Sequence, residues 1–387
     1  MDDFYGLVEK SESSIFGEWL SENPRNLLMA ELFLAELQAR KGGKRKTCDT
    51  HSFEVNLFEN LRRLRDAMWE YTYKPSRGTA HVIFKPVQRE IFAAPYVDRV
   101  VHHWIVGALT DWWERRLCYD SYSCRKGRGT SFGIRRLNYR MRKVSDNFTK
   151  PCYVIKMDIR GYFMHIRRDL LYQRVMWGLN RQFKSNYNKR YKILKYVIHE
   201  VIYDDPIRDV KIQGSYEDWR GLGADKSLFC QPAGRGIVIG NLTSQFFSNI
   251  YLDVLDRFIM IDLGWKNYGR YVDDFYIVVS EEELPQTKRD IKVIGTFLEG
   301  LGMSLNPNKT KVFLPGQGVP FLGAVCRNGI IMPDKRIVRN FNVAADKMVA
   351  GDGSLESITS YLGMMKQFRS DKVVRKIFDR VGWEFNK

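Results

Sequence analysis

The sequence predicts an α+β fold in which short apolar strands end in aspartates. An apolar strand at residues 152–157 leads directly into Asp158, and the run "YGRYVDDFYIVVSE" (268–281) places Asp273 and Asp274 between two apolar segments. β-branched and aromatic residues on both sides of the aspartates are typical of two buried strands that meet at a tight turn. From residue 335 onward the pattern is helical and basic, which supplies the α component.

The remaining elements follow in chain order. Residues 1–40 predict an amphipathic helix, with apolar residues at helical spacing in "AELFLAELQAR". The basic run "RKGGKRKT" (40–47) predicts a loop that is either solvated or in contact with nucleic-acid phosphates. The next segments predict a helix at 53–74, a strand hairpin at 82–95 and a second helix at 96–117.

Composition favours a folded protein with a polyanionic partner. The chain has 387 residues, 44% of them hydrophobic, which suffices for two or three subdomains with their own cores. The formal net charge of +17 favours nucleic acid before a membrane surface, although a merely basic protein has the same charge. Because the start is acidic and no apolar run approaches the roughly 20 residues of a membrane helix, we expect a cytosolic protein.

Cysteine and histidine spacing argues against a zinc site. The six cysteines contain no C-x-x-C pair, so the sequence suggests neither a zinc site nor a disulfide framework. His102 and His103 are adjacent in an apolar helical stretch, where we expect packing rather than metal binding.

The three aspartates predict a metal-dependent site. If the strands at 152–157 and 268–281 are neighbours, Asp158 and Asp273 lie close together, with Asp274 at the edge, and their charges repel. Two Mg²⁺ ions about 3.5 to 4 Å apart would remove this repulsion, and such pairs serve nucleotidyl transfer. Taken singly, each aspartate remains compatible with an ordinary turn or cap role.

Several motifs together resemble the reverse transcriptases. "YVDD" and "KMDIRGYF" are similar to the family's palm motifs, and further matches occur in the family's order: "REIFAAPYVDRVVHH" (89–103), "SYSCRKGRGTSFGIRRL" (121–137), "LGMSLNPNKTKVF" (301–313) and "VPFLGAV" (319–325). The resemblance covers roughly residues 80–330 and implies a right-hand polymerase fold. Its implied parts are a helical extension (1–50), fingers (51–150), a palm (151–330) with an insertion at about 180–230, and a helical thumb (331–387).

The resemblance also assigns the catalytic residues. It implies that Asp158, the main chain of Ile159, Asp273 and Asp274 hold two Mg²⁺. Lys309 resembles a lysine near the departing pyrophosphate, where it donates a proton or stabilises charge, although a lysine after "NPN" also suits a loop.

Residues that contact substrates follow in the same way. Lys85 and Arg89 lie on the predicted hairpin and would clamp the incoming triphosphate, the alternative being a charged surface strand. Phe163 occupies the place of an aromatic gate against the ribose 2′-hydroxyl, unless it serves only core packing. The resemblance also assigns nucleic-acid binding to Arg125, Lys126 and Arg128. They would contact the phosphate chain, the alternative being a solvated basic turn.

The stretch "GIVIGNLTSQFFSNIYL" (236–252) points to a subfamily. Most reverse transcriptases have a glutamine, a glycine and then Ser-Pro here, whereas this chain has Ile239, Gly240 and Ser244-Gln245. This departure resembles the reverse transcriptases of diversity-generating retroelements, and it assigns Ile239, Gly240 and Gln245 to substrate binding. An aliphatic side chain offers shape but no hydrogen bond, so we expect looser checking of the nascent pair. The alternative is an ordinary strand-to-helix turn capped by Thr243 or Ser244.

The resulting functional prediction is an RNA-directed DNA polymerase. The subfamily resemblance implies error-prone copying of a template-repeat RNA into cDNA that diversifies a target gene, with errors at template adenines. It further implies dNTP substrates, a small basic accessory protein as partner, and a bacterial or phage origin. Two alternatives remain: a reverse transcriptase of ordinary fidelity, of group II intron or retron type, and a non-catalytic RNA-binding protein with a polymerase fold.

Overall fold

The computed structural model describes residues 23–41, 47–85, 87–184 and 186–383. These divide into two compact units, each built from two chain segments. Unit 1 comprises the described residues of Met1–Leu117 and Gly161–Asp253, and unit 2 comprises those of Cys118–Arg160 and Val254–Lys387. The boundaries given above for fingers, palm and thumb stay predictions.

Unit 1 combines helices with a three-stranded sheet. Strands β1 (Thr79–Ile83) and β2 (Arg89–Ala93) pair antiparallel, as expected for the predicted hairpin. A third strand, β4 (Lys211–Ile212), pairs parallel with β1 on its other side. The helices of this unit are Pro24–Arg40, Cys48–Val55, Leu57–Trp69, Tyr96–Glu114, Tyr162–His165, Arg168–Phe183 and Lys189–Tyr203, and the point of division falls within the helix Leu242–Arg257.

The segment at 180–230, which is predicted to be an insertion, folds onto the hairpin. It supplies β4, and it contacts the buried carboxylate of Glu90 on β2. That carboxylate accepts hydrogen bonds from the indole of Trp219 at 2.7 Å, the hydroxyl of Ser227 at 2.7 Å and the amide of Leu228 at 2.7 Å. A buried carboxylate is stable when it is hydrogen-bonded, so these three donors attach the insertion firmly to β2.

Unit 2 contains two antiparallel sheets. The larger sheet has the order β5-β6-β3-β7, formed by Tyr268–Tyr271, Asp274–Ser280, Cys152–Asp158 and Lys311–Phe313. The smaller has the order β10-β9-β8, formed by Ile330–Pro333, Ala324–Arg327 and Val319–Phe321. The helices are Thr130–Val144, Leu284–Gly300, Lys335–Val349, Leu355–Met365 and Asp371–Arg380, and a π-helical turn covers Phe258–Asp262.

One apolar core holds the larger sheet in place. Leu137 and Met141, on the helix Thr130–Val144, are fully buried and pack with Val154 of β3 and Tyr276 of β6. Burial of side chains of this size stabilises by about 1.5 to 3 kcal/mol each, so the position of β3 against β6 is strongly determined.

Most predicted elements are present, with shifted bounds. The predicted helix at 53–74 is in fact two helices that end and begin around Asn56, whose backbone (φ −118°, ψ 43°) is not helical. Parts of the predicted helix at 1–40 and of the basic loop at 40–47 lie outside the described residues.

The remaining expectations concern histidine, cysteine and membrane helices. Burial lowers the pKa of His102 to about 3, which agrees with a neutral, packed histidine. All six cysteines are free thiols. Among the helices described, none combines the length and apolarity that crossing a membrane requires.

Candidate active site

Two of the predicted catalytic aspartates lie opposite each other in the sheet of unit 2. Strands β3 and β6 pair antiparallel, with Cys152 opposite Ser280 at one end and Asp158 opposite Asp274 at the other. Directly opposed residues have Cβ atoms about 4.5 to 5.5 Å apart, so the two carboxylates lie on the same face of the sheet, at the end of β3 and the start of β6.

The third aspartate lies in the turn that joins β5 to β6. Tyr271 pairs with Asp274, which leaves Val272 and Asp273 as the turn residues. The carbonyl of Asp273 accepts a hydrogen bond from the amide of Ile159 at 3.1 Å. This bond joins the residue that follows Asp158 to the turn, so all three aspartates are connected through the main chain.

Burial and the charge of Asp158 destabilise the charged forms of Asp273 and Asp274. Asp158 is buried, and burial followed by the charge of Asp158 raises the pKa of Asp273 to about 6. Burial also raises the pKa of Asp274, against the opposing effect of Lys156. Raised carboxyl pKa values of this origin are frequent at functional sites.

Two lysines compensate part of this negative charge. Nζ of Lys309 donates to Oδ2 of Asp158 at 2.8 Å, and Nζ of Lys156 donates to Oδ2 of Asp274 at 3.2 Å. Burial lowers the pKa of Lys309, but the hydrogen bond to Asp158 and the charges of all three aspartates together outweigh it, so the net shift of the pKa is upward. Lys309 therefore remains a cation beside the carboxylates.

Sequence reasoning missed two residues of this site. Lys156 precedes Asp158 by two positions, and because side chains alternate along a strand, that spacing places both on one face. Asn306 donates its amide to the carboxylate of Asp158 at 3.4 Å and its backbone amide to the carbonyl of Asp158 at 2.7 Å. The two-residue spacing between Lys156 and Asp158 could have indicated the role of Lys156 from the sequence. Asn306 lies in a loop, where no comparable spacing pattern exists.

The site offers hard oxygen donors to a metal ion. In the part of the chain that the structure describes, no three side chains of His, Cys, Asp or Glu are already grouped as metal ligands. Asp158 and Asp274 instead hydrogen-bond to lysines. Oxygen-only donors with mutual repulsion suit Mg²⁺ or another hard divalent cation, so the donor chemistry fits such an ion once these side chains turn from the lysines.

Unit 1 brings together two residues predicted to contact the nucleotide. Phe163 and Ile239 are partly buried against one apolar cluster that includes Phe92 and Val238. The amide of Ile237 donates to the carbonyl of Phe163 at 3.0 Å, and the amide of Phe92 donates to the carbonyl of Ile239 at 3.0 Å. The segment around Ile239 is therefore fixed both to Phe163 and to strand β2.

Gly240 is required by its surroundings. Its φ is +130°, and an added Cβ would lie 2.6 Å from the carbonyl oxygen of Phe92. Gln245 is exposed on the helix Leu242–Arg257. Because that helix begins at Leu242, Thr243 and Ser244 lie inside its first turn, and both are buried. Both also line a cavity of about 220 Å³ in unit 1.

The predicted phosphate-binding cations differ in exposure. Lys85, in the loop between β1 and β2, and Arg89, on β2, are both exposed. Arg125 is buried, and its guanidinium donates to the carbonyls of Cys118 at 2.6 Å and Ser121 at 2.9 Å, so it stabilises its own loop. Lys126 is exposed.

Arg128 is half-buried. Its guanidinium donates to the carbonyl of Tyr119 and lies 4.4 Å from the centroid of the Tyr119 ring. Among the three cations of this loop, Lys126 and Arg128 are therefore better placed than Arg125 for contact with a phosphate chain.

Among solved structures, the chain is similar to telomerases over part of their length. An apo telomerase from Candida tropicalis has 15% sequence identity and a TM-score of 0.47, with 81% of this chain and 60% of that chain covered. A telomerase from Candida albicans, in complex with the TWJ fragment of telomeric RNA, has 14% identity and a TM-score of 0.47, with 82% and 56% covered. The chain thus spans about three fifths of the telomerases it matches. No curated protein sequence matches it significantly.

A family match covers most of the chain. Residues 88–326, which include β2, the carboxylate site and the segment around Ile239, match the family described as reverse transcriptase (RNA-dependent DNA polymerase). This confirms the predicted α+β fold of the reverse transcriptases and the predicted family. The chain belongs to the reverse transcriptase family.

Proposed function

We propose that the protein is an RNA-directed DNA polymerase whose active site is built on Asp158, Asp273 and Asp274. The observation that carries this proposal is the pairing of Asp158 with Asp274 across β3 and β6, with Asp273 in the adjoining turn. Three neighbouring carboxylates, two of them with raised pKa values, are costly to fold unless they bind cations.

Two Mg²⁺ ions are the proposed cofactors. Asp158, Asp273, Asp274 and the main-chain carbonyl of Ile159 would hold them. When bound, such ions activate the primer 3′-hydroxyl and stabilise the charge on the leaving pyrophosphate. The protein's own contribution is to hold the three carboxylates together at one end of β3 and β6 before any ion binds, so that binding does not have to supply the free energy of assembling them.

Lys309 is the proposed residue for the leaving pyrophosphate. Its ammonium hydrogen-bonds to Asp158 and its side chain is 61% exposed, so it is both near the carboxylates and open to a ligand. A lysine in this position stabilises developing negative charge or donates a proton.

Nucleotide selection is proposed to involve the cluster around Phe163. Phe163 would exclude the ribose 2′-hydroxyl, and Ile239 and Gly240 would shape the space beside the nascent pair, with Gln245 following on the helix. The shared packing of Phe163 and Ile239 supports a common role. Lys85 and Arg89 would bind the triphosphate. Lys126 and Arg128 would bind the nucleic-acid backbone, and Arg125 would support their loop.

We further propose that copying is error-prone, as in diversity-generating retroelements. The pattern Ile239-Gly240 followed by Ser244-Gln245 supports this subfamily. The half-buried aliphatic side chain of Ile239 offers no hydrogen bond to a base pair, so discrimination rests on shape alone. The product would be cDNA from a template-repeat RNA, with errors at template adenines, and it would diversify a target gene.

The proposed partners are a structured template RNA and a small basic accessory protein. The net charge of +17 supports an extended polyanionic partner. Because both proteins are basic, we expect the RNA to bridge them rather than a direct charge attraction. The proposed setting is bacterial or phage-encoded and cytoplasmic.

Primer extension with error scoring tests the proposal. The purified protein, with and without accessory protein and cognate RNA, is given a primed RNA template, dNTPs and Mg²⁺, and the cDNA is sequenced. Extension with errors concentrated opposite adenine supports both parts. Extension with few, evenly distributed errors favours a reverse transcriptase of ordinary fidelity, and RNA binding without extension under every condition favours a non-catalytic protein.

A further inference from the structure

A buried ion pair lies behind the turn that carries Asp273. The side chains of Arg270 and Asp256 are both 0% exposed. Nε of Arg270 donates to Oδ1 of Asp256 at 2.7 Å, and Nη2 donates to Oδ2 at 2.7 Å. Tyr268 donates its hydroxyl to the same carboxylate at 2.6 Å. Asp256 is thus hydrogen-bonded on both oxygens, and the guanidinium is held in one orientation.

The remaining arm of the guanidinium reaches the catalytic turn. Nη1 of Arg270 donates to the carbonyl oxygen of Val272 at 3.0 Å. That carbonyl belongs to the peptide bond between Val272 and Asp273. Because a peptide unit is planar, fixing its oxygen fixes the direction in which the chain enters Asp273.

The turn needs such support because its backbone is strained. Val272 has a φ of +57°, in the left-handed region. A β-branched residue rarely adopts this conformation, and strained residues of this kind persist only when their surroundings hold them. The bond from Arg270 to the Val272 carbonyl is one such restraint.

The backbone of Arg270 is also anchored. Its amide donates to the carbonyl of Asp120 at 2.8 Å, and its carbonyl accepts from the amide of Tyr122 at 2.9 Å. The side chain of Asp120 is itself bound by two guanidinium groups, from Arg136 and Arg140, at 2.6 Å each. Arg270 is therefore held at both ends and can transmit that rigidity to the turn.

We infer that Arg270 is a positioning residue for the carboxylates, with Asp256 as its anchor. It touches neither substrate nor reacting atoms, and it acts by holding the Val272–Asp273 peptide so that Asp273 faces Asp158 and Asp274. This inference rests on the proposed function, because it supposes that the three carboxylates bind divalent ions. Its consequence is that metal affinity depends on a residue buried outside the site.

The test uses R270K with R174K as its matched control. Lysine keeps the charge and can contact Asp256, but it lacks the planar fork with which the guanidinium binds both carboxylate oxygens and the Val272 carbonyl in one orientation. R174K makes the same chemical change in an arginine–aspartate pair of unit 1, between Arg174 and Asp253, whose side chains are 18% and 0% exposed. Mn²⁺ binding to the full chain without substrates, followed by electron paramagnetic resonance, gives a readout independent of catalysis, and thermal melting measures stability.

The expected result is a rise of about 10-fold or more in the apparent Kd for Mn²⁺ in R270K and no change in R174K, at comparable losses of melting temperature. In extension assays R270K should require more Mg²⁺ and recover toward the parent rate when it is supplied. Y268F, which removes only one bond to Asp256, should show a smaller rise and serves if R270K does not fold. Equal Mn²⁺ affinity in R270K, Y268F and the parent would overturn the inference, whereas a parent that binds no Mn²⁺ would overturn the proposed function instead.

Discussion

Asp158 and Asp274 face each other as the last cross-strand pair of β3 and β6, and each hydrogen-bonds to a different lysine. The arrangement balances repulsion among carboxylates against two fixed cations. It ties the stability of the folded protein to the same groups that the proposed chemistry uses.

The charge of Asp273 should make the metal-free protein less stable at high pH. Its pKa is raised from 3.8 to about 6, so the stability it contributes when protonated is complete below about pH 4 and is lost as pH rises through 6. At pH 8 we expect D273N to be more stable than the parent by about 1 to 3 kcal/mol. Denaturant unfolding with a chelator present, between pH 4.5 and 8, measures this.

The control for this prediction is E281Q, which removes an exposed carboxylate just beyond the other end of β6. It should follow the parent's pH profile. If D273N and E281Q lose stability alike as the pH rises, Asp273 does not carry the raised pKa.

Lys156 should stabilise the site in the absence of metal. Its side chain is 15% exposed and its ammonium pairs with Asp274, so K156M should lower the free energy of unfolding by about 1 kcal/mol. Removing this cation also leaves more negative charge for a divalent ion, so Mg²⁺ should raise the melting temperature of K156M more than that of the parent. K156R retains the charge and should resemble the parent; a smaller Mg²⁺ effect in K156M than in K156R would contradict this account.

Ile239 should limit fidelity. Replacing it with glutamine introduces an amide that can hydrogen-bond near the nascent pair, so I239Q should lower the misincorporation rate, by about 10-fold if one bond is gained. I239V keeps an aliphatic side chain and should leave the error spectrum unchanged. Sequencing of cDNA from all three proteins measures the effect, and identical spectra in I239Q and I239V would remove Ile239 from the account.

Phe163 should select against ribonucleotides. A valine there opens space where a 2′-hydroxyl would fit, so F163V should reduce the ratio of kcat/KM for dNTP over rNTP by about 10- to 100-fold. I212V, in the same apolar cluster, removes packing without that space and should keep the ratio. Loss of stability in F163V at unchanged selectivity would mean that Phe163 serves packing alone.

The sequence predicted the elements whose pattern is local. The strands around Asp158 and Asp273 follow from apolar runs and are buried along most of their length. The hairpin at 82–95 and the helices after 335 also follow from local patterns. The break at Asn56 was missed because the apolar pattern continues across it.

What the sequence lacked were contacts between distant segments. Glu90 receives its three donors from residues about 130 positions later, so nothing near it indicated that the insertion folds onto β2. The pairing of Arg270 with Asp256 joins a strand to the end of a helix and was equally hidden. Arg125 has the residue type of a phosphate ligand, and only its burial and its carbonyl partners reveal a supporting role.

The most direct test of the central claim is RNA-templated primer extension by D273N beside E281Q, with RNA affinity measured on the same preparations. Asparagine keeps the shape of Asp273 but removes the charge that a divalent ion requires. We expect no detectable extension by D273N, extension at the parent rate by E281Q, and the same RNA affinity in all three proteins. Extension by D273N at the parent rate would contradict the assignment of the carboxylates as the catalytic site.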